Sequence, residues 1–73
     1  MDEKRLIENF GKRVAFLRKE RHLSQEALAL DCNLNRTYIG DIERGEKCPS
    51  LVTISKIANG LGISVKELLD YEC

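Results

Sequence analysis

The segment from Ser24 to Gly45, SQEALALDCNLNRTYIGDIERG, constrains this chain most, because it compresses two amphipathic helices and their connection into 22 residues. Ser24 is a good N-cap oxygen, and Gln25 and Glu26 fill the first turn after it. Leu28, Ala29 and Cys32 follow at i, i+1 and i+4, which gives one narrow apolar face. Asn33 stands where the first helix must stop and reverse, a place that favours positive φ, and Asn tolerates that better than most residues. Asn35 can cap a second helix and Gly45 ends it, leaving a turn of about three residues between the two.

The second helix is tested on a wheel at about 100° per residue. With Arg36 at zero, Tyr38, Ile42 and Ile39 fall between roughly 200° and 300°, and Arg36, Gly40, Arg44, Thr37 and Asp41 between roughly 0° and 140°. One side is apolar. The other carries guanidinium, hydroxyl and carboxylate groups, with a glycine that permits close approach. Two short helices across a tight turn, the second with such a face, have the shape of a DNA-reading device.

The stretch resembles the helix-turn-helix of the lambda-repressor-like family, which includes Cro and CI repressors and XRE-type regulators. NRTYIGDIERGEKCPSL is especially similar to the controller proteins of restriction-modification systems. The resemblance runs from about Phe10 to Leu69, through FGKRVAFLRKERHLSQEALA and SLVTISKIANGLGISVKELL. Gln25 at the start of the first motif helix, Ala29 at the helix crossing, and Ile39 and Ile42 on the packed face match the pattern. His22 and Asn33 depart from it by replacing the usual Gly, Phe16 and Leu30 by replacing polar residues, and Cys48 by replacing Asn. The resemblance also implies that Arg18 pairs with Glu43, and the wheel places Glu43 about 90° from the centre of the apolar face, half in and half out.

At 73 residues the chain is expected to be one domain, residues 1–73, with a modest core that tight packing or a partner subunit supplements. One proline and no alternating β-branched runs argue for an all-α fold, and the resemblance implies five helices with the motif at the second and third. The net charge is zero, which counts against a nucleic-acid partner until its distribution is considered. Residues 1–22 carry seven Lys or Arg against four Asp or Glu, residues 23–47 three against five, and residues 48–73 two against three. A neutral protein can still present a basic face, and weaker non-specific binding than that of a strongly basic domain is expected. Met1 is followed by Asp2, Glu3, Lys4 and Arg5 rather than an apolar stretch, so a cytoplasmic protein without membrane contact is expected. Cys32, Cys48 and Cys73, with a single His22, form no metal-ligand spacing. They read as free thiols, with Cys32 on the packed face, and neither metal nor cofactor is expected.

Helix 1 is predicted over about Glu3 to Arg21, with Leu6, Phe10, Val14 and Leu17 as its core stripe. Ser50 caps a helix over LVTISKIANGL, whose stripe is Leu51, Ile54, Ile57, Ala58 and Leu61 and whose stop is Gly62. Ser64-Val65-Lys66-Glu67 reads as a capping box opening a last helix. Val65, Leu68, Leu69 and Tyr71 wrap more than one face of it, and that surplus points to a dimer interface, in keeping with regulators of this family. Phe16 and Leu30 fall off their helices' core stripes and are expected to be partly exposed.

These readings predict a homodimeric transcription regulator that binds a duplex DNA operator as an inverted repeat, with the second motif helix, about Arg36 to Arg44, in the major groove. Arg36 is the candidate for bidentate contact with guanine. Thr37 is assigned a thymine methyl or a phosphate, Tyr38 a phosphate through its hydroxyl, and Asp41 a cytosine amino group. Gln25, Asn35, Arg44 and Lys47 are assigned to the DNA backbone. RNA polymerase is a further expected partner. The alternative is a protein-interaction module, an anti-repressor or antitoxin-like subunit, favoured by Phe16, Leu30 and the neutral charge. An enzyme is disfavoured, since His22 has no nucleophile or metal partner at useful spacing.

Overall fold

A computed structural model describes residues 2–71, which form five helices and, among the described residues, no strand. They are α1 Glu3–Glu20, α2 Gln25–Asp31, α3 Arg36–Glu43, α4 Leu51–Leu61 and α5 Val65–Leu68. Every helix starts at a side-chain oxygen that accepts a first-turn amide: Asp2 from Lys4 at 3.0 Å, Ser24 from Ala27 at 3.0 Å, Asn35 from Tyr38 at 2.8 Å, Ser50 from Thr53 at 3.1 Å and Ser64 from Glu67 at 3.0 Å. The capping box at Ser64 is half formed: this bond is present, and no return bond from the Ser64 amide to the Glu67 carboxylate accompanies it.

The first four helices end alike. His22, Asn33, Gly45 and Gly62 take left-handed φ values of 57°, 58°, 75° and 73°. The amide after each bonds back across the last turn, Leu23 to Arg18 O at 3.1 Å, Leu34 to Ala29 O at 2.8 Å, Glu46 to Asp41 O at 2.8 Å and Ile63 to Ala58 O at 3.0 Å. These are Schellman ends, which use carbonyls that the helix leaves without partners. They also explain why His22 and Asn33 stand at positions where related sequences favour Gly.

Phe10, Val14 and Leu17 of α1 meet Leu28, Ala29 and Cys32, Ile39 and Ile42, Ile57, Ala58 and Leu61, and Leu68 in one core. Helix α1 crosses α3 at Gly11, where a Cβ would overlap the Ile42 carbonyl oxygen and stand 2.8 Å from that of Glu43. From α1, Arg13 donates to the Leu68 and Glu67 carbonyls at 3.2 and 3.0 Å and lies over the Tyr71 ring, and Arg21, just past the end of α1, donates to Leu61 O at 3.2 Å. The long helix and the residue that caps it therefore bond the C-terminal ends of both α5 and α4.

Three positions correct the sequence reading. Leu6 and Leu51, predicted in core stripes, are 44% and 75% exposed, because they lie in the first turns of α1 and α4 and no described element covers them. Leu68, predicted at a dimer interface, is fully buried in the core and has no surface to offer a partner. Phe16 and Leu30 are exposed, as their wheel positions imply.

Candidate nucleic-acid interface

Two groups of charged side chains organise the motif, one beneath α3 and one outside it. Beneath it, Arg18 of α1 donates from Nε to Glu43 Oε2 at 2.7 Å and from Nη2 to Glu43 Oε1 at 3.1 Å, while Nη1 reaches Leu23 O at 2.7 Å. Gln25 Nε2 donates to the same Glu43 Oε1 at 3.0 Å. One carboxylate thus ties α1, the start of α2 and the end of α3 together. The fork geometry satisfies both oxygens, so this nearly buried pair is fully hydrogen-bonded. Bonding to Glu43 outweighs burial and raises the Arg18 pKa above its usual value.

On the outward side, Arg36 and Thr37 are exposed in the first turn of α3, preceded by Asn35 and followed, past the helix end, by Arg44 and Lys47. Arg36 Nη1 lies 3.9 Å from Glu26 Oε2 of α2. Arg44 donates from Nη2 to Asp41 at 2.6 Å and from Nε approaches Glu46 at 3.3 Å. Gly40 is buried, beneath the chain's own side chains: a Cβ there would stand 3.0 Å from Arg44 Nη1 and 3.5 Å from Gln25 Oε1. The sequence reading placed Gly40 on the open face; what its missing side chain admits is Arg44 and Gln25. The Tyr38 ring packs against the core, and its hydroxyl lies 3.4 Å from Thr53 Oγ1 of α4.

A profile of the helix-turn-helix family HTH_3 matches residues 14–68, a span from mid-α1 to the end of α5 that contains both groups. The chain belongs to that family. It is 49% identical over 63 residues to control protein C.BamHI of Bacillus amyloliquefaciens, covering 85% of this chain and 78% of that one. To control protein C.MunI of a Mycoplasma species it is 48% identical over 60 residues, covering 81% of each. The crystal structure of the restriction-modification controller protein C.AhdI from Aeromonas hydrophila superposes with a TM-score of 0.89 at 42% identity, covering 94% of this chain and all of that one. This HTH_3 protein is a DNA-binding transcriptional regulator with the all-α lambda-repressor-like fold.

The residues singled out at the C-terminus separate in space. Val65 is half-buried against the core, Leu69 is 46% exposed, and Tyr71 is partly covered beneath Arg13. Leu69 and Tyr71 line an open apolar groove of about 310 Å³ with Leu6, Phe10, Pro49 and Ile54. The sequence reading of this HTH_3 chain missed two further participants, Glu26 and Glu46. Each is a charged residue beside an outward arginine, and a single-helix wheel cannot register Glu26, which reaches Arg36 from another helix. Among the described residues, no group of His, Cys, Asp and Glu could hold a metal ion, and no helix is long and apolar enough to cross a membrane.

Proposed function

We propose that the protein binds an inverted-repeat operator as a homodimer, with α3 in the major groove, and that it is the controller of a restriction-modification system. One observation carries the reading: Arg36 and Thr37 are exposed together in the first turn of α3, on the side away from Ile39 and Ile42. A helix entering the groove presents its N-terminal residues to base edges, and a guanidinium there can bond guanine O6 and N7 together. Asn35, Arg44 and Lys47 flank that turn as phosphate contacts, and Asp41 is an acceptor for cytosine once Arg44 is engaged elsewhere. Similarity to C.BamHI, C.MunI and C.AhdI supports the controller role. A cytoplasmic location and a contact with RNA polymerase belong to the same proposal.

We infer that dimerisation uses the apolar groove and its rim, and the groove that Leu69 and Tyr71 line with Leu6 and Pro49 supports this. A chain this small gains from covering such a surface, and tethering two half-site readers makes the second contact effectively intramolecular. A selection from random duplex DNA should return an inverted repeat with half-site centres about 34 Å apart. Arg36→Ala should cost about 1 to 3 kcal/mol of specific binding and relax preference at one base pair per half-site. Equal losses on every sequence would make Arg36 a phosphate clamp. Leu69→Glu should give helical monomers in sedimentation with much weaker operator binding, and a wild type that stays monomeric would remove the dimer from the proposal. Exposed Leu30 and Phe16 favour the second reading, a protein-docking module. Failure of the selection to enrich any DNA would leave that reading standing.

A further inference from the structure

The outward arginine at the end of α3 is already occupied. Arg44 meets Asp41 through Nη2 at 2.6 Å and Glu46 through Nε at 3.3 Å. Those two nitrogens form the side-on edge of a guanidinium, the edge that donates to two oxygens of a phosphate at once. The two carboxylates therefore stand where a DNA phosphate would. They also favour the charged guanidinium, Glu46 more than Asp41. Asp41 is fixed within α3, whereas Glu46 is exposed on the connector beyond it, its backbone held by the Glu46 N–H bond to Asp41 O at 2.8 Å. Nothing in the core depends on the Glu46 side chain, so packing gives no reason for an acid at this position.

We propose that Glu46 is an internal competitor for DNA phosphate at Arg44, and so a residue that sets how tightly the motif holds DNA of any sequence. In the free protein the guanidinium is neutralised by its own chain. Contact with a phosphate is then an exchange: the arginine leaves Glu46, the phosphate sheds its condensed cations, and the released carboxylate gathers a cation near the polyanion. Uptake offsets release, so this contact adds little to the salt-driven attraction that dominates non-specific binding. The motif segment, with three basic residues against five acidic over residues 23–47, suits a reader that binds arbitrary DNA weakly. The inference rests on the proposed interface, in which Arg44 touches the backbone.

The test is a double-mutant cycle read on a labelled duplex of mixed sequence between about 50 and 200 mM salt, with circular dichroism to confirm folding. Glu46→Gln should raise affinity several-fold and steepen the log-log salt slope by up to about one per subunit, because the cation uptake at Glu46 is removed while Asp41 still has to be displaced. Arg44→Gln should weaken binding, and adding Glu46→Gln to it should change little, since the competitor has nothing left to hold. Glu3→Gln, which removes the same charge from the start of α1, serves as the control for net charge. If Glu46→Gln does no more than Glu3→Gln, or acts equally with and without Arg44, the competitor role is overturned. If Arg44→Gln itself leaves affinity and slope unchanged, the interface reading falls instead, and the two failures are distinguishable.

Discussion

Arg18 with Glu43 and Arg44 with Glu46 are the same chemical pair in two environments. The side chains of the first are 12% and 6% exposed and those of the second 55% and 58%. In the first pair each partner is desolvated, so neither charge tolerates loss of the other; in the second, water and dissolved ions stand ready to replace either. Burial, together with the two-pronged bond to Glu43, turns one guanidinium into a strut that fixes α3 against α1, and exposure leaves the other exchangeable. A reader of DNA needs both: a helix that does not move and charges that do.

The largest effect should come from breaking the strut. Glu43→Ala would leave the Arg18 guanidinium with Leu23 O as its partner and take from Gln25 its acceptor, at a cost of about 3 to 5 kcal/mol. In a domain of this size that is a large share of the total stability. Urea denaturation followed by helical circular dichroism should register it as a collapse of the midpoint. Arg44→Gln should leave the midpoint within experimental error while weakening DNA binding. If the two variants lost similar stability, burial would not be what separates the pairs.

A second contrast sets glycine against glycine. At Gly11 an added methyl meets backbone oxygens of α3, which cannot yield without moving the helix. Gly11→Ala should therefore cost about 1 to 3 kcal/mol, as overpacked crossings do. At Gly40 the nearest atom is the end of the flexible Arg44 side chain. Gly40→Ala should be nearly silent in urea and visible in DNA affinity, because the methyl displaces the end of the Arg44 side chain. Equal destabilisation at both sites would mean that the Arg44 side chain is held as rigidly as backbone.

The reach of sequence reasoning follows the same division between local and long-range causes. Caps were legible because each is a side chain bonding an amide a few residues on: Ser24, Asn35, Ser50 and Ser64 all act where expected. Asn33 was legible as a left-handed stop for the same reason. Periodicity located the face of each helix, and Ile39, Ile42, Ile57 and Leu61 are buried on theirs. It failed for Leu6 and Leu51, since a wheel does not reveal where the neighbouring helix runs out, and for Leu68, whose burial depends on packing by other helices. Gly11 against α3 and Arg13 against the end of α5 join residues about thirty and fifty-five positions apart, a distance at which no local pattern operates. The pairing of Arg18 with Glu43 was implied by family resemblance, whereas Glu46 at Arg44 required the structure.

The smallest expected effect repeats the inside-outside contrast with thiols. Cys32 is buried, its Sγ 3.9 Å from Ile57 O, and burial, helped by the charge of Asp31, pushes its pKa up to about 11; Cys48 is exposed at the mouth of the apolar groove, and Cys73 lies outside the described residues. In a Cys73→Ser background, iodoacetamide at neutral pH should modify Cys48 and spare Cys32 until the protein is unfolded. Because the folded thiol titrates above its ordinary value of 9.0, its protonated form is the one the fold favours. That contribution is complete below pH 9 and fades as the pH rises through about 11, where thiolate in the unfolded chain draws the equilibrium away from the fold. Cys32→Ala loses packing at every pH but has no thiol to titrate. The stability gap between wild type and Cys32→Ala, measured by urea unfolding, should therefore narrow between pH 9 and 11, and a gap that stays constant would mean that Cys32 is as well solvated as Cys48.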